Sequence, residues 1–221
     1  MLAAIALIPS APILVPELAG AAAEEVADLR AAVLTVGAQL PSRWVAVAAG
    51  QGSAVVGPQA VGTFAGYGAD IVVRLSPGSD GAVTDLPLAA LITGWVRANA
   101  APDAVAEVHI VGPDTDTRSL RAVLDATGDP IGVLVLADGA NTLTPTAPGG
   151  FDPDSAQGQR RLDDALAAGD TANLADVAVG AVGRDAYRVV ADLVGATPVV
   201  AHELYRGAPY GVGYFVGTWR L

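Results

Sequence analysis

The chain opens on an unbroken apolar run at 2–8, closed by Pro9, with no polar position to supply a solvent face. Such a run predicts a strand buried on both sides, as in parallel sheets. Residues 18–36 follow a different rule. Leu18, Val26, Leu29, Val33 and Val36 recur at helical spacing, with Glu24, Glu25 and Asp28 opposite and Gly37 as the expected stop. Strand, loop and helix therefore follow one another within the first forty residues.

The alternation continues. Runs at 44–49 and 71–75 predict strands, the first followed by a glycine-rich loop; 88–98 predicts a helix, 107–111 a strand and 119–126 a short helix. Residues 131–136, between Pro130 and Asp138-Gly139, form the clearest buried strand, and a loop rich in Thr, Pro and Gly spans 140–154. Helices are expected at 160–168, at 171–179 with Asp170 as N-cap, and at 184–194, before two last apolar runs at 198–204 and 211–219. Strands that alternate with helices and are apolar on both faces predict an α/β fold, a three-layer α/β/α domain around a mostly parallel or mixed sheet. With no repeat and no obvious linker, one domain over 1–221 is expected.

Composition narrows the chemistry. The 221 residues are 52% hydrophobic and 16% charged, enough for a large core with little disorder. The absence of cysteine removes disulfides, thiolate metal sites and thiol nucleophiles. All 12 basic residues are arginines, so a Walker A loop cannot be completed and a Schiff-base mechanism has no amine. His109 and His202 are the only imidazoles. A net charge of -11 repels phosphate backbones and anionic lipid, so neither nucleic acid nor membrane is an expected partner. The apolar N-terminus does not read as an export signal, because its first basic residue is Arg30 and Pro9, Pro12 and Pro16 interrupt it. A cytoplasmic location is the expectation.

Several segments invite a chemical reading. The Gly50-Gln51-Gly52 turn follows a strand, as a dinucleotide loop does, but Gly57, Pro58 and Gly62 prevent the helix that would hold a pyrophosphate. His202-Glu203 pairs an imidazole with a carboxylate, although adjacent strand residues face opposite ways. His109, within an apolar run, reads as a core histidine. Asp138-Gly139-Ala140-Asn141 directly follows a strand, where open α/β sheets place their ligand crevice; an Asp-Gly turn is the plainer alternative. Ser10, after the first strand, has the same two readings, and no G-x-S-x-G elbow supplies a hydrolase nucleophile.

Read in order, Ile8-Pro9-Ser10-Ala11-Pro12, Gly62-Thr63-Phe64-Ala65-Gly66-Tyr67-Gly68, Ala137-Asp138-Gly139-Ala140, Ala147-Pro148-Gly149, Ala168-Gly169-Asp170 and Ala208-Pro209-Tyr210-Gly211-Val212-Gly213-Tyr214 resemble LigB-type proteins of actinobacteria, relatives of the class III extradiol ring-cleavage dioxygenases. The resemblance covers nearly the whole chain, and its last segment is the most specific. It implies a LigB-like α/β/α domain. In active relatives, two histidines and a glutamate hold a non-haem Fe(II), and another histidine acts as acid–base.

The positions that the resemblance assigns to those histidines are Ser10, a turn near Gln51, and the stretch 137–142, none of which holds an imidazole; Glu203 is the nearest candidate for the carboxylate. A mechanism needing three imidazoles meets a chain with two, both elsewhere. The expectation is a divergent LigB-like protein without iron or other cofactor and without ring-cleaving activity, its crevice near Ser10, Gln51, Asp138, Asn141, His202 and Glu203 left to bind a small molecule. The alternatives are an oxidoreductase or hydrolase working through His202 and Glu203 or through Ser10, and a structural protein that assembles as a homo-oligomer.

Overall fold

A computed structural model describes residues 1–126 and 128–221. Seven strands form the main sheet in the order β3-β7-β2-β8-β1-β10-β9. Its centre is parallel: β1 (Leu2–Ile8), β2 (Arg43–Ala49), β7 (Val105–Val111) and β8 (Ile131–Leu136) run together. Three strands in antiparallel pairings complete it: β3 (Ala54–Val56) against β7, β10 (Tyr214–Arg220) against β1, and β9 (Val200–Gly207) against β10. The sheet is therefore mixed, with a parallel core.

Both faces of that core are covered, as the apolar runs require. Ala6, Ile8, Ala46, Leu134 and Leu136 face α2 (Ala27–Ala38) and α3 (Leu88–Ala100), where Leu29, Val33, Leu91 and Val96 are buried. Ile5, Leu7, Val47, Val133 and Val135 face the other way, toward α4 (Thr117–Asp125), α5 (Ser155–Ala168), α6 (Thr171–Val177) and α7 (Arg184–Val194). Helix, sheet and helix make the three-layer α/β/α arrangement. Among the described residues, no helix is long and apolar enough to cross a membrane.

The departures from expectation have local causes. The helix predicted over 18–36 is divided into α1 (Pro16–Ala19), a 3-10 turn and α2, because Gly20 takes φ 55° and ends α1. Gly37 does not stop α2. It lies inside the helix, where an added Cβ would sit 3.0 Å from Val96 Cγ1 and 3.1 Å from Ala100 Cβ, so its role is to let α2 and α3 approach. The strand expected at 71–75 is β5 (Val72–Arg74), and it leaves the main sheet to pair with β4 (Val61–Thr63); β6 (Val83–Thr84) completes this small second sheet. Asp170 caps α6 as expected, accepting from the Asn173 amide at 3.3 Å.

Candidate functional site

Strand order fixes where a site can form. The chain leaving β1 crosses to the α2 face, whereas the chain leaving β8, its parallel neighbour, crosses to the face of α5, α6 and α7. Loops that part to opposite faces open a crevice at the carboxyl ends of the two strands, the usual place for a ligand in an open α/β sheet. Ser10 and Asp138 lie just beyond those two ends. The backbone amide of Ser10 donates to Asp138 Oδ1 at 2.9 Å, across 128 residues of sequence. Beside them is a cavity of about 110 Å³, lined by Ser10, Ala49, Leu136, Ala137, Asp138, Val182 and Gly183.

The loop carrying Asp138 is held from every side. The Ala137 amide donates to the Ile8 carbonyl at 2.9 Å, Gly183 donates to the Asp138 carbonyl at 2.8 Å, and Gly139 donates to the Gly213 carbonyl of the C-terminal segment at 2.8 Å. The Tyr187 hydroxyl, fully buried on α7, donates to the Ala137 carbonyl at 3.0 Å. Gln159 of α5 accepts from the Ala140 amide through Oε1 at 2.8 Å and donates through Nε2 to Asp163 Oδ1 at 2.8 Å. Its amide fills the space where a Cβ on Gly139 or Gly213 would stand, which accounts for both glycines. The Gly213 segment turns into place through Tyr210, at φ 60°, whose hydroxyl donates to Glu25 Oε2 at 2.5 Å.

Two carboxyl groups here are displaced from their ordinary range. Asp138 is packed by protein on nearly all sides, and the surface it keeps faces the cavity; desolvation pushes its pKa up to about 6, opposed only by the Ser10 amide. Asp163 is pushed up to about 6 by the same cause, opposed by the Gln159 hydrogen bond and the charge of Arg206. Tyr187 and Tyr214 are raised as well, mainly by burial and then by the charge of Asp138. Both phenols are therefore neutral at ordinary pH.

The other candidates do not join this pair. Gln51 is exposed in the loop after β2, and Asn141, although in the same loop as Asp138, does not line the cavity and uses its backbone carbonyl to accept from Gly149. His202 is exposed on the edge strand β9, against Gln39, Thr218 and Arg220, in a separate depression. Glu203 is held by Arg206, whose Nε donates to Oε1 at 2.8 Å while its Nη1 reaches Asp164 at 2.8 Å. The expected joint site of His202 and Glu203 with Ser10 is thus corrected: both are side chains of an edge strand, one solvated and one in an ion pair. His109 is engaged on its own strand, with Nε2 2.7 Å from Glu107 Oε1. It occupies β7, five strand positions from β9. At about 4.8 Å per strand the two imidazoles stand roughly 24 Å apart.

Sequence reading missed Gln159, Asp163 and Tyr187. A signal existed for the first two, since Gln159 and Asp163 interrupt the stripe that Leu162 and Leu166 otherwise make apolar on α5. Polar side chains on a buried stripe demand partners. A larger cavity, about 390 Å³ between Trp44, Pro58, Val105 and Val123, lies toward the amino ends of β2 and β7. That is the end of a parallel sheet opposite its ligand crevice.

No family model matches the chain, and no curated protein matches it in sequence. Among solved structures, the chain is similar to an uncharacterized protein, JW3007, from Escherichia coli K12, with 12% identity, a TM-score of 0.56, and coverage of 99% of this chain and 100% of that one. At that identity the likeness concerns the fold alone, an α/β architecture shared from end to end.

Proposed function

We propose that the protein is a divergent LigB-like protein that has given up iron-dependent ring opening and keeps the crevice between β1 and β8 for binding a small molecule. The observation that carries this reading is the meeting of Ser10 and Asp138 at the point where the sheet connections part, beside a cavity, with neither imidazole present. The donors do not fit ferrous iron. A facial triad needs two imidazoles and a carboxylate on one ion, and here the imidazoles are roughly 24 Å apart while Glu203 is taken by Arg206. Ser10 has no imidazole beside it to act as base, so acyl transfer gains no support either.

The test is metal analysis of protein purified without chelator, followed by loading with Fe(II) and assay with a catechol. Substoichiometric iron and no ring opening are expected. Stoichiometric iron together with ring cleavage would end the reading.

A further inference from the structure

We infer that the cavity between β1 and β8 receives the ammonium end of a small primary amine, with Asp138 as its counter-ion. The inference rests on reading that crevice as a small-molecule site. It starts from a missing partner. Asp138 Oδ1 accepts from the Ser10 amide, and Oδ2 has no hydrogen-bond partner among the described residues. No cation of the protein faces it either: Ser10 comes from the β1 side, Tyr187 from α7 and Tyr214 from β10, and both phenols are neutral. Asp138 keeps part of its surface toward the cavity, so a partner for its charge has a way in from that side.

The walls then select the kind of cation. Ala49, Leu136, Ala137 and Val182 are apolar, and Ser10 supplies the one side-chain hydroxyl. One carboxylate and one hydroxyl are too few protein oxygens for a Ca²⁺ site, and a cavity of about 110 Å³ with mostly apolar walls is a poor host for the several waters that Mg²⁺ keeps. An ammonium group carries three donors on a compact charge, which suits a free carboxylate oxygen, a hydroxyl and a short apolar wall. Size agrees: about 110 Å³ is less than the roughly 150 Å³ that encloses a benzene ring. The cavity therefore takes an amine tip with a short alkyl stem.

Methylammonium chloride is the probe, titrated into isotopically labelled protein near pH 7.5 against sodium chloride at equal ionic strength. Amide shifts of Ser10 and Gly183 report the two walls. Saturable shifts with methylammonium and none with sodium are expected. Binding should weaken at least tenfold in Asp138→Asn, which removes the charge, and in Val182→Phe, which fills the cavity and leaves the carboxylate in place. It should also fall about tenfold between pH 7.5 and pH 5, as Asp138, raised to about 6, takes up its proton. Shifts that do not saturate, equal shifts with sodium, or binding by Asp138→Asn within twofold of the parent would overturn the inference. If acetamide saturates the same amides while methylammonium does not, the cation is wrong and the small-molecule crevice stands; ring opening after iron loading would instead remove the reading beneath both.

Discussion

Replacing Asp138 by asparagine should stabilise the protein at neutral pH. Burial raises this carboxyl from its ordinary 3.8 to about 6, so the folded state holds the proton more tightly than the unfolded state does. At 1.36 kcal/mol per tenfold change in proton affinity, ionised Asp138 costs the fold about 3 kcal/mol above pH 6. Asparagine keeps the acceptor for the Ser10 amide but weakens that bond by about 1 kcal/mol, because it is no longer assisted by charge. The net expectation is a gain of about 2 kcal/mol near pH 7.5. The sign with pH follows from the direction of the shift. The cost is fully present above the folded value of about 6 and disappears as pH falls to the unfolded 3.8, so the parent gains on the variant through that window. Urea denaturation of both proteins at about pH 7.5 and pH 4 measures it, and the difference between them cancels every other titrating group, Asp163 included. A variant less stable than the parent at pH 7.5, or an advantage equal at both pH values, would refute the reasoning.

Other substitutions test the frame around the site. Gln159→Ala leaves the Ala140 amide and the Asp163 carboxyl without their partner, and at about 1–3 kcal/mol for each buried orphan the thermal midpoint should fall well below the parent's. Gly183→Ala places a Cβ 2.7 Å from Ala137 Cα and 2.9 Å from the Asp138 nitrogen; backbone must move, so a loss of about 1–3 kcal/mol by denaturation, with altered amide shifts at Ser10, is expected. Arg206→Ala removes two ion pairs at a partly exposed position and should cost less than about 1 kcal/mol in the same assay.

The elements readable from the sequence were those with a face to declare. β1 and β8 are apolar at every position because both their sides meet helices, and α7 shows its stripe through Tyr187, Val190 and Val194. β3, β4 and β6 have two or three residues each, too few for a period to emerge, and β3 lies exposed at an edge. The site was legible in pieces. Position after a strand marked Ser10 and Asp138 separately, but their contact depends on β8 inserting between β1 and β2, a strand order that no local pattern encodes. The same order separates His109 from His202. Their number could be counted in the sequence, and the distance that keeps them from sharing one ion could not.

Asp138 and Asp163 make the sharpest contrast in the molecule. Burial raises both to about 6, yet their surroundings differ in kind. Asp163 has a protein role, since Gln159 ties it to the Ala140 amide and the charge of Arg206 offsets part of its desolvation. Asp138 uses one oxygen on the Ser10 amide, a task that a neutral amide side chain performs as well, and its charge has no counterpart in the protein. An unpaired carboxylate largely desolvated at the end of the central strands costs the fold stability. A side chain that costs stability and whose structural task needs no charge is what a binding role for that charge would leave behind, which is why the proposed site is centred on Asp138. Under the proposed function, the wall of the cavity at the parting of the β1 and β8 loops is where that charge would meet its ligand.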